Sequence, residues 1–201
     1  MRQAATRKTK TIKIVMLGAA STGKTALVTR FAHNRFSSTE STIGVAFVSK
    51  NIKIDNKDVK LEIWDTGGTE KYKSLAPMYY RDTNAAIIVF DLTASQTLQD
   101  AQSWLNELKE NGPPNALIAV AANKSDLTAQ RQILQDEIND FSEHNKFEFI
   151  KETSALQGTN VNELFEDVTK KLLSAVDSDV VDDDSVQINV DPPQQQSKHC
   201  C

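Results

Sequence analysis

Residues 18–25 combine two glycines, a lysine and a hydroxyl side chain at a spacing that suits phosphate binding. The glycines allow the backbone to bend so that successive N–H groups point at the α- and β-phosphates of a nucleotide. Lys24 adds a charge that reaches the β- and γ-phosphates, and Thr25 offers its hydroxyl to Mg²⁺. A helix that opens at Lys24 presents its positive end to the same phosphates. The predicted phosphate-binding residues are Ala20, Ser21, Thr22, Gly23, Lys24 and Thr25.

A carboxylate and a second threonine are expected to complete a metal site with this loop. Asp65 follows the apolar segment 61–64 and can hold Mg²⁺, usually through water. Thr42 lies in a polar loop, where its hydroxyl can bind Mg²⁺ and its N–H the γ-phosphate. Gly68 can offer a backbone N–H to the γ-phosphate without a Cβ in the way. The sequence thus predicts Thr25, Thr42 and Asp65 as the metal ligands.

The segment 123–126 (Asn-Lys-Ser-Asp) follows an apolar run and predicts that the base is guanine. The Asp126 carboxylate can accept hydrogen bonds from the guanine N1–H and 2-amino groups, whereas adenine offers neither donor there. Asn123 can support this loop, and the stem of Lys124 can cover a face of the base. A second loop, after a later apolar run, can supply a backbone N–H to the guanine O6. The residues in these roles are Asn123, Lys124, Asp126, Ser154 and Ala155.

Apolar runs and helical periodicities alternate along the chain and place these motifs. The continuous apolar runs are typical of parallel strands covered on both faces, and two strands joined by a polar turn predict a hairpin. The predicted strands are 12–17, 45–54, 59–64, 85–90, 117–122 and 147–150. A segment of helical composition, residues 26–31, follows the phosphate loop. Amphipathic helices are predicted at 98–108, 134–141 and 161–172. This order predicts an α/β fold with a mostly parallel sheet, one antiparallel edge hairpin and a site at the carboxyl ends of the strands.

Composition divides the 201 residues into one domain and two tails. We predict a basic flexible N-terminus at 1–10, a nucleotide-binding domain at 11–176 and a disordered acidic tether at 177–201 that ends in a cysteine pair. The net charge of −4 suggests no nucleic-acid partner. No run approaches the roughly 18–20 apolar residues that span a bilayer, and no apolar run forms a secretory signal, so we expect a cytosolic protein.

Five motifs, in this order and at these distances, resemble the Ras superfamily of small GTPases and most closely its Rab branch. The supporting segments are 41–44 (Ser-Thr-Ile-Gly), 64–66 (Trp-Asp-Thr), 72–81 (Tyr-Lys-Ser-Leu-Ala-Pro-Met-Tyr-Tyr-Arg), 152–155 (Glu-Thr-Ser-Ala) and the terminal Cys200-Cys201. Segments 40–47 and 74–80 are most similar to the early-endosomal Rabs. The resemblance implies the small G-protein version of the P-loop NTPase fold, a mostly parallel six-stranded sheet with one antiparallel edge strand and helices on both faces.

The resemblance also implies a Mg²⁺-dependent GTP/GDP switch that regulates vesicle trafficking. GTP would order two loops, near residues 35–45 and 66–80, and loss of the γ-phosphate would release them. Phe36 is the aromatic expected against the guanine edge. The catalytic residues implied are Lys24, Thr42, Gly68 and Thr69. Effectors would read the GTP form through Ile43, Gly44, Phe47, Trp64, Tyr72 and Tyr79, although ordinary sheet packing also explains Phe47 and Trp64.

Further partners and a location follow from the same resemblance. The family attaches two prenyl chains to a terminal cysteine pair, which predicts lipidation at Cys200 and Cys201 and stable anchoring in a membrane. An exchange factor, a GTPase-activating protein and a prenyl-Rab chaperone are implied as partners. The expected location is the cytoplasmic face of an endosomal membrane, with a soluble cytosolic pool.

One departure from the family concerns hydrolysis. Where the family usually has Ala-Gly-Gln, this chain has Gly67-Gly68-Thr69, and the missing glutamine orients the attacking water. We therefore predict slow intrinsic hydrolysis. The alternative is a GTP-bound scaffold that hydrolyses negligibly and recruits effectors to a membrane. An ATP-using P-loop enzyme is a third hypothesis, which Asp126 disfavours and which extraction of the bound nucleotide would test.

Other departures lie around the nucleotide. The interval from Thr25 to Thr42 is one residue shorter than usual, and Ser38 and Thr39 stand where an aromatic often covers the phosphates. Leu156 replaces the usual lysine after Ser154-Ala155. These departures bear on rates and affinity rather than on the class of nucleotide.

Overall fold

The computed structural model describes residues 9–37, 41–68, 76–147 and 149–179. In chain order its elements are β1 (Lys10–Leu17), α1 (Lys24–His33), β2 (Val45–Ile54), β3 (Lys57–Thr66), α2 (Ala76–Tyr80), β4 (Ala85–Asp91), α3 (Gln96–Asn111), β5 (Leu117–Asn123), a 3₁₀ turn (Thr128–Gln130), α4 (Gln135–Asn145), β6 (Phe149–Thr153) and α5 (Val161–Asp179). Within these ranges, the structure describes every side chain except those of Ala76 and residues 176–179.

The six strands form one sheet in the order β2-β3-β1-β4-β5-β6. Strands β3, β1, β4, β5 and β6 pair in parallel, and β2 pairs antiparallel with β3 at the edge. The predicted α/β fold is therefore confirmed. Strands β2 and β3 lie on one side of β1, and strands β4, β5 and β6 lie on the other. Open α/β sheets bind ligands at such a reversal of strand order.

The hairpin of β2 and β3 turns at Asp55 and Asn56, whose φ angles are 47° and 64°. Two successive residues with positive φ make the two-residue turn that matches the twist of paired strands, and Asn and Asp tolerate this conformation. β3 consequently begins at Lys57, two residues before the predicted strand. This strand then extends through Thr66, which carries Asp65 to the ligand-binding edge of the sheet.

Two apolar cores cover the faces of the sheet. Helices α1 and α5 pack on one face, where Phe31 stacks on Phe165 with ring centroids 4.1 Å apart. Helices α3 and α4 pack on the other, around Trp104, Leu105 and Phe141. All seven residues of β4 are buried, as the continuous apolar run predicted for a strand covered on both faces.

Two predicted boundaries differ from the structure. Helix α5 continues through Asp179, three residues beyond the expected domain end at 176, because a formed helix gains a backbone hydrogen bond with each residue and no proline or glycine stops it there. Strand β1 begins at Lys10, inside the segment 1–10 expected to be flexible. Residues 1–8 and 180–201 lie outside the described part of the chain. Among the described helices, none has the length and apolar character needed to cross a bilayer.

Candidate functional site

A cavity of about 450 Å³ opens at the carboxyl ends of the central strands. It brings together residues from the phosphate loop, the loop before β2, the end of β3 and the loops after β5 and β6. The predicted site residues on its wall are Ala20, Ser21, Gly23, Lys24, Thr25, Phe36, Thr42, Gly68, Asn123, Lys124, Asp126 and Ala155. Thr22, Asp65 and Ser154 are buried beside this wall.

The phosphate loop holds a buried cation. Lys24 Nζ donates hydrogen bonds to the carbonyls of Gly18 and Ala19, each at 2.8 Å. Burial lowers the pKa of the Lys24 ammonium to about 8, against the effect of the nearby Asp65 carboxylate. An anion in the cavity would favour the charged form of Lys24, so the Lys24 ammonium is placed where it can bind a phosphate.

The phosphate loop and the guanine-binding loop are joined at Gly23. A Cβ at this position would lie 2.3 Å from Asn123 Nδ2, and the φ of Gly23 is 96°, so only glycine fits. Asn123 Nδ2 donates to the Thr22 carbonyl at 2.9 Å. Asn123 therefore holds the two loops in register, which agrees with the supporting role expected for it.

The three predicted metal ligands converge. The hydroxyls of Thr25 and Thr42 lie 2.8 Å apart, and Thr42 Oγ1 donates to Asp65 Oδ2 at 3.5 Å. The other carboxylate oxygen, Asp65 Oδ1, is buried without a hydrogen-bond partner among the described residues. Burial raises the pKa of Asp65, against hydrogen bonds from both threonines and the charge of Lys24.

These ligands fit Mg²⁺. A buried carboxylate oxygen without a partner and two adjacent hydroxyls are hard oxygen ligands, and Mg²⁺ completes such a set with water and phosphate oxygens. No cluster of three or more His, Cys, Asp or Glu side chains occurs in the described ranges. A Mg²⁺ ion held by Thr25, Thr42 and Asp65 would need further oxygen ligands, such as water or phosphate oxygens, to complete an octahedron.

Hydrogen bonds from the loop after β6 orient Asp126, the half-buried carboxylate predicted to read the base. Ser154 Oγ donates to Asp126 Oδ1 at 2.5 Å, and the Gln157 N–H donates to Ser154 Oγ at 3.0 Å. Lys124 Nζ lies 2.6 Å from Asp91 Oδ2, which holds the lysine beside the cavity. Asp126 is therefore fixed at the mouth of the pocket by the loop that follows β6.

The end of β3 approaches the phosphate loop closely. A Cβ at Gly68 would lie 2.4 Å from the backbone of Ala19 and Ala20, so the contact excludes any larger residue. The Gly67 N–H donates to the Gly44 carbonyl at 2.7 Å. This bond connects the segment that carries Thr42 to the segment that carries Gly68. Thr69 lies outside the described residues.

The predicted effector residues that the structure describes form a partly exposed strip beside these segments: Ile43, Gly44, Phe47, Trp64 and Tyr79. Ile43 and Phe47 are 82% and 53% exposed, so sheet packing does not account for Phe47. The Trp64 ring lies between Phe47, at 5.7 Å, and Tyr79, at 6.4 Å. Trp64 also packs partly on the second core. Tyr72, Cys200 and Cys201 lie outside the described residues.

Sequence reasoning missed two charged residues that hold the site. Asp91 ends the buried run of β4 and pairs with Lys124, and a carboxylate at the end of an apolar strand could have signalled it. Arg30 lies in the last turn of α1 and donates to the carbonyls of Ala155 and Leu156. Its partner loop is 125 residues away, so no local pattern points to Arg30. Ser37, Leu127 and Leu156 also line the cavity.

The fold and the cavity together define a guanine-nucleotide-binding protein of the P-loop class. The profile of the Ras family matches residues 13–174. The chain therefore belongs to the Ras family.

Curated relatives refine this membership. A putative Ras-related protein Rab-5B of Dictyostelium discoideum is 43% identical over 164 residues, which cover 82% of this chain and 76% of the relative. Ras-related protein Rab5 of Nicotiana tabacum is 47% identical over 161 residues, or 80% of each chain. Ras-related protein Rab5A of Oryza sativa subsp. japonica is 44% identical, with 83% and 82% covered. The predicted Rab branch and early-endosomal subgroup are thus confirmed, and with them a GTPase switch of endocytic trafficking.

Proposed function

We propose that this protein is a membrane-anchored GTP/GDP switch in endocytic traffic whose own hydrolysis of GTP to GDP and phosphate is slow. The convergence of Thr25, Thr42 and Asp65 beside the Lys24 ammonium carries the proposal. The cavity offers a triphosphate one buried cation and a set of metal ligands that the nucleotide must complete. Asp126, held by Ser154, reads the guanine.

These residues also account for a switch. Thr42 contacts Thr25 and Asp65, and the Gly67 N–H bonds to the Gly44 carbonyl, so the two segments on either side of the γ-phosphate position are connected. Bound Mg²⁺ would supply charge stabilisation to the phosphates at Thr25, Thr42 and Asp65. A γ-phosphate that accepts hydrogen bonds from the N–H groups of Thr42 and Gly68 would hold the segments that carry these residues. Loss of the phosphate would release both segments.

The sequence at Thr69 supports slow hydrolysis. A threonine has no amide and a shorter side chain than the glutamine that the family uses to orient the attacking water. Hydrolysis would then depend on a GTPase-activating protein, which can supply an arginine worth roughly 10³–10⁵ in rate. A scaffold that hydrolyses negligibly is the second candidate, and Thr69 favours it as well.

Anchoring and location complete the proposal. Two prenyl chains on Cys200 and Cys201 meet the requirement of two lipid signals for stable attachment. The Rab5 names of the relatives support an endosomal membrane. An exchange factor, effectors that read the exposed strip around Phe47, and a prenyl-Rab chaperone follow from the family.

Single-turnover GTP hydrolysis started with Mg²⁺ tests the role of Thr69. We expect Thr69→Gln to hydrolyse GTP at least about tenfold faster than the unmodified chain, since the amide can hold the water. The matched control Thr11→Gln places the same change at an exposed position of β1 and should leave the rate unchanged. Equal and readily measurable rates in all three proteins would refute slow hydrolysis. A negligible rate that only Thr69→Gln restores would favour the scaffold.

A further inference from the structure

Arg30 makes three hydrogen bonds to backbone carbonyls near the end of the cavity that would hold the guanine base. Its Nε donates to the Ala155 carbonyl at 2.8 Å and one terminal nitrogen donates to the Leu156 carbonyl at 2.6 Å. The other terminal nitrogen donates to the Asn34 carbonyl at 3.1 Å. One half-buried guanidinium therefore joins helix α1, the loop after β6 and the segment that follows α1.

Helix capping explains only one of these bonds. A basic residue in the last turn of a helix often bonds a carbonyl at the helix end, and Asn34 is the C-terminal cap of α1. The carbonyls of Ala155 and Leu156 belong to a different element. The planar fork of arginine can donate to them and to Asn34 at once, whereas a lysine ammonium cannot span the three.

The loop closes over the arginine stem. The Gly158 N–H donates to the Ser154 carbonyl at 2.7 Å, and the position of a Cβ on Gly158 is 3.6 Å from Arg30 Cδ. The loop thus folds back on itself against Arg30. Ser154, which holds Asp126, lies at the start of this turn.

Both walls joined by Arg30 belong to the guanine side of the cavity. Ala155 and Leu156 line one wall, and Phe36, two residues after Asn34, lines another. The Ala155 N–H donates a long hydrogen bond to Asn123 Oδ1, at 3.4 Å, which a stronger acceptor on the base can replace. We propose that Arg30 is a positioning residue for base recognition, which fixes the Ala155 N–H for the guanine O6 and sets the start of the segment that carries Phe36. This inference rests on the proposed guanine-nucleotide function.

Dissociation of GDP measures this role. Arg30→Met keeps the aliphatic stem and removes all three bonds, and we expect it to release fluorescently labelled GDP about tenfold faster. Arg30→Lys keeps the charge but not the planar fork, so its rate of GDP release should lie between those of the unmodified protein and Arg30→Met. The control Arg81→Met removes an exposed arginine before the amino end of β4, away from the cavity, and should change the rate less than about twofold.

A base-specific comparison separates positioning from general loosening. The diphosphate of 2-aminopurine riboside lacks O6 and also the N1–H that Asp126 would read. Since Arg30→Met keeps Asp126, the loss of the contact to O6 should make the preference of the protein for GDP over this analogue smaller in the variant. Equal acceleration of both nucleotides, or an unchanged rate for GDP, would overturn the proposal. Arg30→Lys carries the same test if Arg30→Met does not fold. A wild-type chain that fails to prefer GDP over ADP would instead refute the proposed function itself.

Discussion

At the scale of single residues, the site depends on polar groups that are fixed by other polar groups. Ser154 orients Asp126, Asp91 holds Lys124, and Asn123 bonds the phosphate loop. Polar groups that are held in place and partly shielded from water discriminate between ligands, because a wrong ligand leaves them without partners. We therefore expect selectivity for guanine to depend on side chains, such as Asp126, that are held in one orientation.

Asp126→Asn tests this selectivity. The asparagine amide can offer one acceptor and one donor where guanine presents two donors, so we expect GDP affinity to fall by at least about a hundredfold, or 2.7 kcal/mol. Xanthosine diphosphate, which has a carbonyl in place of the 2-amino group, should bind the variant better than GDP does. Competition for a labelled nucleotide measures both affinities. The control Asp58→Asn, at an exposed position of β3, should retain GDP binding; a loss in both variants would contradict a specific role for Asp126.

At the scale of elements, the packing of helix α1 against helix α5 positions the phosphate loop. The stacked pair Phe31 and Phe165 lies in the core that joins them, and both rings are almost fully buried. Since α1 begins at Lys24, packing of its apolar face fixes the direction in which the phosphate loop points. The stability of this core and the geometry of the site are therefore linked.

Phe165→Ala should destabilise the protein by about 3–5 kcal/mol, because it removes a buried ring and leaves a cavity between the two helices. Urea unfolding of the GDP-bound protein at a fixed nucleotide concentration measures the loss, since bound nucleotide adds the same contribution to each variant of equal affinity. Phe47→Ala is the matched control. Its ring is 53% exposed, so the loss should be below about 1 kcal/mol. Similar losses in the two variants would show that Phe165 is not a core anchor.

At the scale of the whole molecule, periodicity and motif spacing were enough to predict the fold and most of the cavity wall. Continuous apolar runs predicted the buried parallel strands, and glycine positions predicted where the backbone bends. Arg30 could not be predicted, because its role arises when the fold brings together residues far apart in sequence. The apolar run before Asp91 could have signalled that carboxylate, but not that Lys124 is its partner. Helix α5 runs three residues past the predicted domain end at 176, because an acidic segment without proline or glycine does not stop a helix that has already formed.

Nucleotide binding and the predicted membrane attachment involve different parts of the chain. The described residues that line the cavity all lie between Ala20 and Leu156, whereas the predicted lipid sites are at positions 200 and 201. Replacing both cysteines, Cys200→Ser with Cys201→Ser, should therefore abolish membrane association and leave GDP affinity unchanged.

Fractionation of cells that express each variant measures the outcome. A single prenyl chain gives only marginal and reversible binding, so each single substitution should shift part of the protein to the soluble fraction, and the double substitution should shift nearly all of it. The nearby change Ser197→Ala should have no effect. A double variant that stays on membranes would show that the described domain, through surfaces such as the exposed strip around Phe47, holds the protein there without lipid.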